Sequence, residues 1–173
     1  MKIKKPKLII GIIFSLLCLE LLAQNSFIEN KGQFHKNVIS KVNLPSGVLF
    51  IEKTKMTYAF YDKEKLIEKH DKGSVEKINA YSYAVSFLGA NQKSISKLNI
   101  PSDFYENYFL SSNNYASYVL SYQNHVQKDI YQGIDMLFYT SQDKLKYDFY
   151  IKPNADPKQI KIKYEGVQRI QII

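Results

Sequence analysis

Apolar and polar residues alternate over many short runs of this chain, and the alternation predicts β-strands joined by turns. In "AYSYAVSFLGAN" the side chains of Tyr81, Tyr83, Val85 and Phe87 fall on one face, and Gly89 ends the run. No apolar stripe with a helical period of 3.6 residues persists beyond the first two dozen residues. The pattern therefore predicts an all-β fold.

Further segments predict additional strands, turns and loops. "VLFIEKTKMTYAFYD" predicts a hairpin with arms at 48–51 and 56–61. "FYENYFL" predicts a short strand, "SSNNYAS" a turn, and "YVLSYQNHVQKDIY" either a strand pair or a strand followed by a loop. Residues 92–103 are predicted to form a loop, and the charge-rich residues 62–79 an exposed loop that includes at most one helical turn.

The most regular part of the pattern is a predicted hairpin between "IDMLFY" and "KLKYDFYI". Placing Tyr139 opposite Lys144 pairs apolar residues along one face of this hairpin, namely Phe138 with Leu145, Met136 with Tyr147, and Ile134 with Phe149. On the other face, the same register places Leu137 opposite Lys146 and Asp135 opposite Asp148.

A turn and one more strand are predicted to follow the hairpin. In "PNADP" the two prolines fix φ, while Asn154 and Asp156 are suited to hydrogen bonding the local backbone. The strand at 159–165 would then direct Ile160, Ile162 and Tyr164 inward. Successive hairpins favour an antiparallel sheet or a β-sandwich-like domain.

The N-terminus is typical of a secretory signal peptide. Four lysines precede the apolar run "LIIGIIFSLLCLELLA", and Ala23 provides a small residue at the expected cleavage position. We therefore predict a signal peptide at 1–23 and a secreted β-rich domain at 24–173. The apolar run is too short to favour a stable membrane span, so we expect an extracellular or cell-surface location.

Charge and cysteine content narrow the possible functions. The chain carries 24 Lys and Arg against 16 Asp and Glu, a net charge of +8. Removing residues 1–23 takes away four lysines and one glutamate, which leaves 20 against 15, or +5. This mild, scattered charge does not favour nucleic-acid binding.

Cys18, in the leader, is the only cysteine of the chain. The secreted part therefore has no disulfide and no thiol chemistry, and its stability depends on a core rich in Tyr and Phe.

The main candidate for a metal-binding or catalytic site is the pair of opposed carboxylates of Asp135 and Asp148. Like charges on adjacent strands repel unless they are compensated, and a calcium ion is one possible compensation. A salt bridge from Lys146 is the alternative, and the sequence favours it. A glycosidase could also use two carboxylates, although nothing in the sequence marks a substrate cleft. The remaining acids of this stretch, Asp143 and Asp156, are predicted to lie in turns.

Histidines and short motifs offer little further support for an enzyme. His35, His70 and His125 lack the spacing of a zinc site. The chain contains no phosphate-binding glycine loop and no Gly-x-Ser-x-Gly motif.

Five tyrosines within a short segment suggest stacking on sugar rings, with core packing as the competing explanation. This tyrosine-rich segment comprises Tyr105, Tyr108, Tyr115, Tyr118 and Tyr122.

Five segments taken together resemble a known family. They are "FIENKGQF", "SFLGAN", "ENYFLSSNNYASYVLSYQNH", "IYQGIDMLFY" and "LKYDFYIKPNADPKQIKIKYEG". In this order they resemble the N-terminal domain of unknown function of large secreted bacterial proteins, over about residues 27–166. Such proteins continue into beta-propeller (SBBP) repeats or PKD modules, and many end in a type IX secretion sorting domain. The resemblance brings no catalytic residues, because none are established for this family. We expect no cofactor other than the possible calcium ion.

The chain departs from that family at three positions and at its end. Gln132 stands where the family has proline, Asn154 where it has glycine, and Tyr115 where tryptophan is common. Since only "VQRIQII" follows the last strand, we expect a fragment that lacks its C-terminal strands and repeats. The resemblance implies a non-catalytic structural or interaction module, with a glycan-binding module as the alternative and a carboxylate-dependent hydrolase as a weaker one.

Overall fold

The computed structural model describes residues 26–62, 64–67, 77–111, 114–141, 144–169 and 171. These residues form one antiparallel sheet of ten strands. The strands are β1 (Phe27–Glu29), β2 (Ser40–Leu44), β3 (Gly47–Ile51), β4 (Lys55–Tyr61), β5 (Ala80–Phe87), β6 (Ile95–Ser111), β7 (Asn114–Tyr131), β8 (Ile134–Ser141), β9 (Lys144–Ile151) and β10 (Ile162–Glu165). Residues 64–67 form a helical turn, and Pro157–Gln159 form a short 3-10 helix.

Strand β7 connects the two halves of the sheet. One of its edges pairs with β6 from Ile95 to Ser111. Its other edge pairs with β8 over residues 124–131 and with β1 at Ser121 and Tyr122. From β1 the order continues through β2, β3, β4 and β5 to β10, whereas from β8 it continues only to β9.

The sheet curls into a half-barrel, because its two halves meet over a shared core. Phe87 of β5 contacts Phe149 of β9, with ring centroids 6.0 Å apart. Apolar side chains on the inner face of the curled sheet fill the space between the halves. The buried members of this core are Phe27, Val42, Leu49, Ile51, Met56, Val85, Phe87, Ile130, Tyr131, Ile134, Met136 and Phe138.

A second, smaller core lies on the outer face of the sheet. Ile28 points away from its neighbour Phe27, as successive strand residues do, and packs with Ala116 and Val119. Phe34, from the loop between β1 and β2, and Tyr108 of β6 cover this cluster. The loop therefore fixes part of β6 against the sheet.

The structure confirms the all-β antiparallel fold and much of the strand pattern. β3 and β4 form the predicted hairpin, with Ile51 opposite Met56. Along β5, Val85 and Phe87 are buried and the side chains between them are not. Residues 64–67 supply the helical turn allowed within the charge-rich loop.

The prediction of a loop over residues 92–103 is wrong, because β6 already begins at Ile95. Asn99 and Pro101 lie opposite Asn124 and Tyr122 of β7 within an irregular but continuous pairing. A proline normally argues against a strand, but β6 pairs with β7 alone, and an edge strand tolerates proline.

The predicted register of the β8–β9 hairpin is also wrong, by two residues. Tyr139 lies opposite Lys146, Leu137 lies opposite Asp148, and Asp135 lies opposite Tyr150. A shift of two residues leaves every side chain on its predicted face, so alternation alone cannot detect it. The pairing extends to Ser141 opposite Lys144.

The turn after β9 behaves as predicted. Asn154 adopts the left-handed backbone (φ 69°) that glycine would otherwise supply. The Asp156 carboxylate accepts a hydrogen bond from the Lys158 backbone N–H at 2.9 Å.

The strand predicted at 159–165 is shorter in the structure, because the 3-10 helix occupies its first position and β10 begins at Ile162. Ile160 packs against the core. Ile162 and Tyr164 lie opposite Phe87 and Val85 of β5, but both are substantially exposed because β10 ends the strand order.

The predicted signal peptide, together with Cys18, His70 and Asp143, lies outside the described residues. Across the ranges that the structure describes, no helix has the length and hydropathy needed to cross a membrane.

Two glycines allow the contact between the β7–β8 turn and the turn at 153–155 to be tested. Gly89 (φ 73°) and Gly133 (φ 72°) share a left-handed backbone, but a Cβ added at Gly133 would lie 2.9 Å from the Ala155 Cβ, whereas Gly89 has open space. We expect Gly89→Ala to cost about 1 kcal/mol and Gly133→Ala at least about 1 kcal/mol more, measured by urea unfolding. In a chain that also carries Ala155→Gly, Gly133→Ala should cost no more than Gly89→Ala, because the Cβ that it would meet is gone. Equal costs for the two alanine variants in the otherwise unchanged chain would contradict the packing of Gly133 against Ala155.

Candidate functional site

The carboxylate of Asp135 stabilises a bulge in its own sheet. The pairing of β7 with β8 shifts register between Gln127 and Tyr131, and Asp129 adopts a left-handed backbone there (φ 52°). Asp135 accepts a hydrogen bond from the Asp129 backbone N–H at 2.8 Å. The Lys152 ammonium lies 3.1 Å from the Asp135 carboxylate and 2.9 Å from that of Asp129.

These contacts determine the charge state of Asp135. Burial alone would raise the pKa of the Asp135 carboxyl, but the hydrogen bond from Asp129 and the contact with Lys152 outweigh burial and lower the pKa. Lys152 thus provides the compensation that the sequence assigned to Lys146.

Asp148 lies elsewhere on the hairpin and has a different partner. Its carboxylate accepts a hydrogen bond from the Tyr139 hydroxyl at 2.9 Å on the exposed face. The opposed Asp135–Asp148 pair therefore does not exist, which removes the basis for both the calcium site and the carboxylate-dependent hydrolase. Among the described residues, no three His, Cys, Asp or Glu side chains come together as a potential metal site.

A buried histidine is the least expected feature of the core. His125 is fully buried between Phe27 and Phe138, and its Nδ1 lies 2.8 Å from the Ser40 Oγ. Burial lowers the pKa of His125 to about 3, so the ring is neutral at physiological pH. Although a serine and a histidine can form a nucleophile and its base, Ser40 is also fully buried, and a substrate has no access to either.

A second polar side chain is buried two residues along β7. The Gln127 carboxamide donates hydrogen bonds to the Lys53 carbonyl oxygen and to the Ser94 Oγ, so it ties the β3–β4 turn and the start of β6 to the centre of the sheet. The sequence analysis missed both His125 and Gln127 as core residues. The sequence offered no clear signal for them, because the residues around them in "QNHVQKD" are mostly polar.

The five tyrosines of the tyrosine-rich segment fall into two groups. Tyr108 packs edge-on against Phe34 and bonds to Glu106, and burial raises the pKa of its hydroxyl. Tyr122 packs against the inner core, with its hydroxyl 3.4 Å from the Glu29 carboxylate. For these two tyrosines the packing explanation is correct.

The other three tyrosines, Tyr105, Tyr115 and Tyr118, are each more than half exposed. The rings of Tyr105 and Tyr118 lie 4.6 Å apart with an angle of 33° between their planes. Phe104 and Phe109 on β6 are even more exposed, at 82% and 84%. We call residues 104–109 of β6 and 115–118 of β7 the aromatic arm.

Tyr118 is held in place through its backbone. It has a left-handed φ of 54°, and its N–H donates to the Asn107 Oδ1 at 3.0 Å. The Lys31 ammonium donates to the Tyr118 carbonyl oxygen at 2.7 Å and lies 5.5 Å from the centroid of its ring. These contacts hold Tyr118 in position beside Tyr105, so this part of the ring pair is preorganised.

A cleft of about 320 Å³ lies next to the arm, where the pairing of β6 with β7 shifts register between Pro101 and Tyr105. Asp103 and Phe104 of β6 and Tyr122 and Gln123 of β7 contribute to its lining. The sequence analysis missed this cleft because it predicted a loop at these positions. Only the proline followed by small and polar residues hinted at an irregularity.

Comparisons with known proteins identify a family but no activity. The family described as "Domain of unknown function (DUF7948)" matches residues 27–173. This match extends seven residues beyond the resemblance found from the sequence segments. No curated protein and no solved structure matches the chain.

The buried His125 predicts acid sensitivity. Because the histidine binds a proton with a pKa of about 3 when folded and about 6.5 when unfolded, the unfolded chain takes up more protons between these values, and stability falls as the pH falls. We expect a loss of about 1.4 kcal/mol per pH unit over this window.

Urea unfolding of the wild type and His125→Gln from pH 7 to pH 3.5 measures this contribution as the difference between their slopes. His35→Gln, at an exposed histidine, is the matched control and should keep the wild-type slope. A wild-type slope in His125→Gln would show that His125 does not cause the acid sensitivity.

The two hairpin aspartates should differ in their effect on stability. Asp135→Ala removes the hydrogen bond to the Asp129 N–H and the ion pair with Lys152, so we expect a cost of about 1.5 kcal/mol at pH 7. Asp148→Ala removes one exposed hydrogen bond and should cost less than about 0.5 kcal/mol. Chemical denaturation measures both changes, and similar costs would show that Asp135 does not hold the bulge.

Proposed function

The chain belongs to the DUF7948 family, and because the description of this family names no function, we propose from the structure that the domain is a non-catalytic interaction module. We further propose that its partner is a glycan at the bacterial surface and that the aromatic arm is its contact surface. The observation that carries this proposal is the group of exposed aromatic side chains on the arm.

These side chains are costly to leave in water without a partner. Large aromatic rings contribute strongly to binding surfaces, because each ring buries much apolar area and loses few rotamers. Scattered exposed apolar residues need no explanation, but Phe104, Tyr105, Phe109, Tyr115 and Tyr118 concentrate on one hairpin.

The chemistry of the arm favours a glycan over an apolar protein surface. Sugars present both CH faces that stack on aromatic rings and hydroxyls that need polar partners. The arm mixes its rings with the Glu106 carboxylate and the Asn107 carboxamide, and the cleft beside it adds Asp103 and Gln123. The preorganised pair of Tyr105 and Tyr118 supplies the stacking faces.

Secretion and the wider architecture belong to the same proposal. The signal-like N-terminus supports export, which would bring the arm to the cell surface. The resemblance to domains that precede SBBP repeats, PKD modules and a type IX sorting domain supports a place in a multidomain secreted protein. In such a protein, this domain would anchor the downstream modules to surface polysaccharide.

The test uses the purified chain, fluorescently labelled, and isolated outer membranes of the producing bacterium. We expect saturable binding that periodate treatment of the membranes abolishes, because periodate cleaves sugar diols, and that protease treatment leaves intact. Tyr105→Ala should weaken binding about tenfold through loss of a stacking face. Tyr150→Ala, a similarly exposed tyrosine on β9, is the matched control and should bind like the wild type.

Two results would overturn this proposal. Binding that protease abolishes and periodate leaves unchanged would identify a protein partner. Equal binding by the wild type and Tyr105→Ala would show that the arm is not the contact surface.

A further inference from the structure

We propose that the cleft at the β6 bulge binds a single neutral sugar unit. This inference rests on the proposed glycan-binding function and assigns one subsite within it. The cleft volume of about 320 Å³ lies at the lower end of the range for small-molecule sites, so it suits one ring and not an extended chain.

The backbone around the cleft departs from a regular ladder. Ile100 adopts a left-handed conformation (φ 60°), which is a strained state for a β-branched residue and an unusual one before a proline. The register then shifts between Pro101 and Tyr105, so that the residues between them leave the regular pairing. Strained residues and bulges of this kind concentrate at binding sites, where they redirect side chains.

The strained segment presents an unpaired carboxylate and an exposed ring. The Phe104 backbone N–H donates to the Ser102 Oγ at 3.1 Å, a local bond that stabilises the bulge. Phe104 itself is 82% exposed. Asp103 and Gln123 are exposed on the same cleft, and neither side chain has a hydrogen-bond partner among the described residues.

These groups match the chemistry of a sugar ring. The Phe104 face suits the CH face of a pyranose, and the Asp103 carboxylate accepts hydrogen bonds from sugar hydroxyls. The Gln123 carboxamide both donates and accepts, and the hydroxyls of Ser26 and Ser121 line the same cleft.

Charge then selects among sugars. Among the described residues, the lining of the cleft contains one carboxylate, Asp103, and no lysine or arginine. A uronic acid would bring a second carboxylate close to Asp103 without a cation to compensate, and such a like-charge contact rejects a ligand. The site should therefore take neutral hexoses and discriminate against their uronate counterparts.

The experiment titrates the purified chain with glucose, galactose, mannose, glucuronate and galacturonate, and follows backbone amide shifts by NMR. We expect at least one neutral hexose to shift amides of residues 102–104 and 121–123, and the uronates to bind at least about tenfold more weakly. Phe104→Ala should weaken hexose binding at least about tenfold. Tyr150→Ala removes an exposed ring on β9, outside both the aromatic arm and the cleft, and should leave the affinity unchanged.

Asp103→Asn tests the charge selection separately. It keeps the size of the side chain, so we expect the preference for neutral sugars over uronates to fall at least fivefold while the amide spectrum stays that of a folded chain. Unchanged discrimination would overturn the assigned role of Asp103.

The failure of this inference is distinguishable from failure of the proposed function. If no hexose shifts the cleft amides, or if Tyr150→Ala weakens binding as much as Phe104→Ala, the cleft is not a sugar subsite. Periodate-sensitive membrane binding that still depends on Tyr105 would, in that case, leave the proposed function standing.

Discussion

Three strands pair with the two edges of β7, and this pairing joins the two halves of the sheet. β6 occupies one edge along almost its whole length, while β8 and β1 divide the other. β1 and β8 pair with successive parts of that edge, and the left-handed Asp129 marks the irregular part of β7 beside β8. The two halves of the sheet leave β7 in this way and meet again where Phe87 contacts Phe149. The half-barrel follows from this divided edge.

The centre of this arrangement contains polar side chains as well as apolar ones. His125 of β7 bonds to Ser40 of β2, and Gln127 of β7 reaches the Lys53 carbonyl oxygen in the β3–β4 turn. Each bond joins β7 to a part of the sheet that is distant in sequence. A buried polar group is costly without its hydrogen-bond partner. These bonds therefore favour the observed arrangement of the two halves over arrangements in which one half is shifted relative to the other. The low pKa of His125 is the electrostatic consequence of its place in that core.

Irregularities in β6 and β7 separate a packed part of their hairpin from an exposed part. Ser94, just before β6, and Leu98 of β6 lie in the interior. Beyond the register shift at Pro101, Phe104, Tyr105 and Phe109 of β6 are exposed to solvent. The same shift opens the cleft that Phe104 lines. The domain thus combines a rigid sheet, which supplies stability, with an arm whose side chains contribute little to the core. That division is typical of proteins that bind through groups carried on a stable scaffold.

The alternation and turn residues of the chain were enough to predict the fold class, the β3–β4 hairpin, the faces of β5, β8 and β9, and the turn at Asn154. All of these depend on local preferences, that is, on period-two alternation and turn chemistry. The β8–β9 register, the extent of β6 and the division of the tyrosines were decided by tertiary structure. A shift of two residues preserves every face, and an exposed tyrosine has the same local sequence preference as a buried one, so alternation could not place Asp148 or distinguish Tyr105 from Tyr108. The pairing of β8 with β9 determined that Asp135 and Asp148 are not opposed. The packing of Phe34 over Tyr108 covers one ring of the segment, whereas Tyr105 remains exposed.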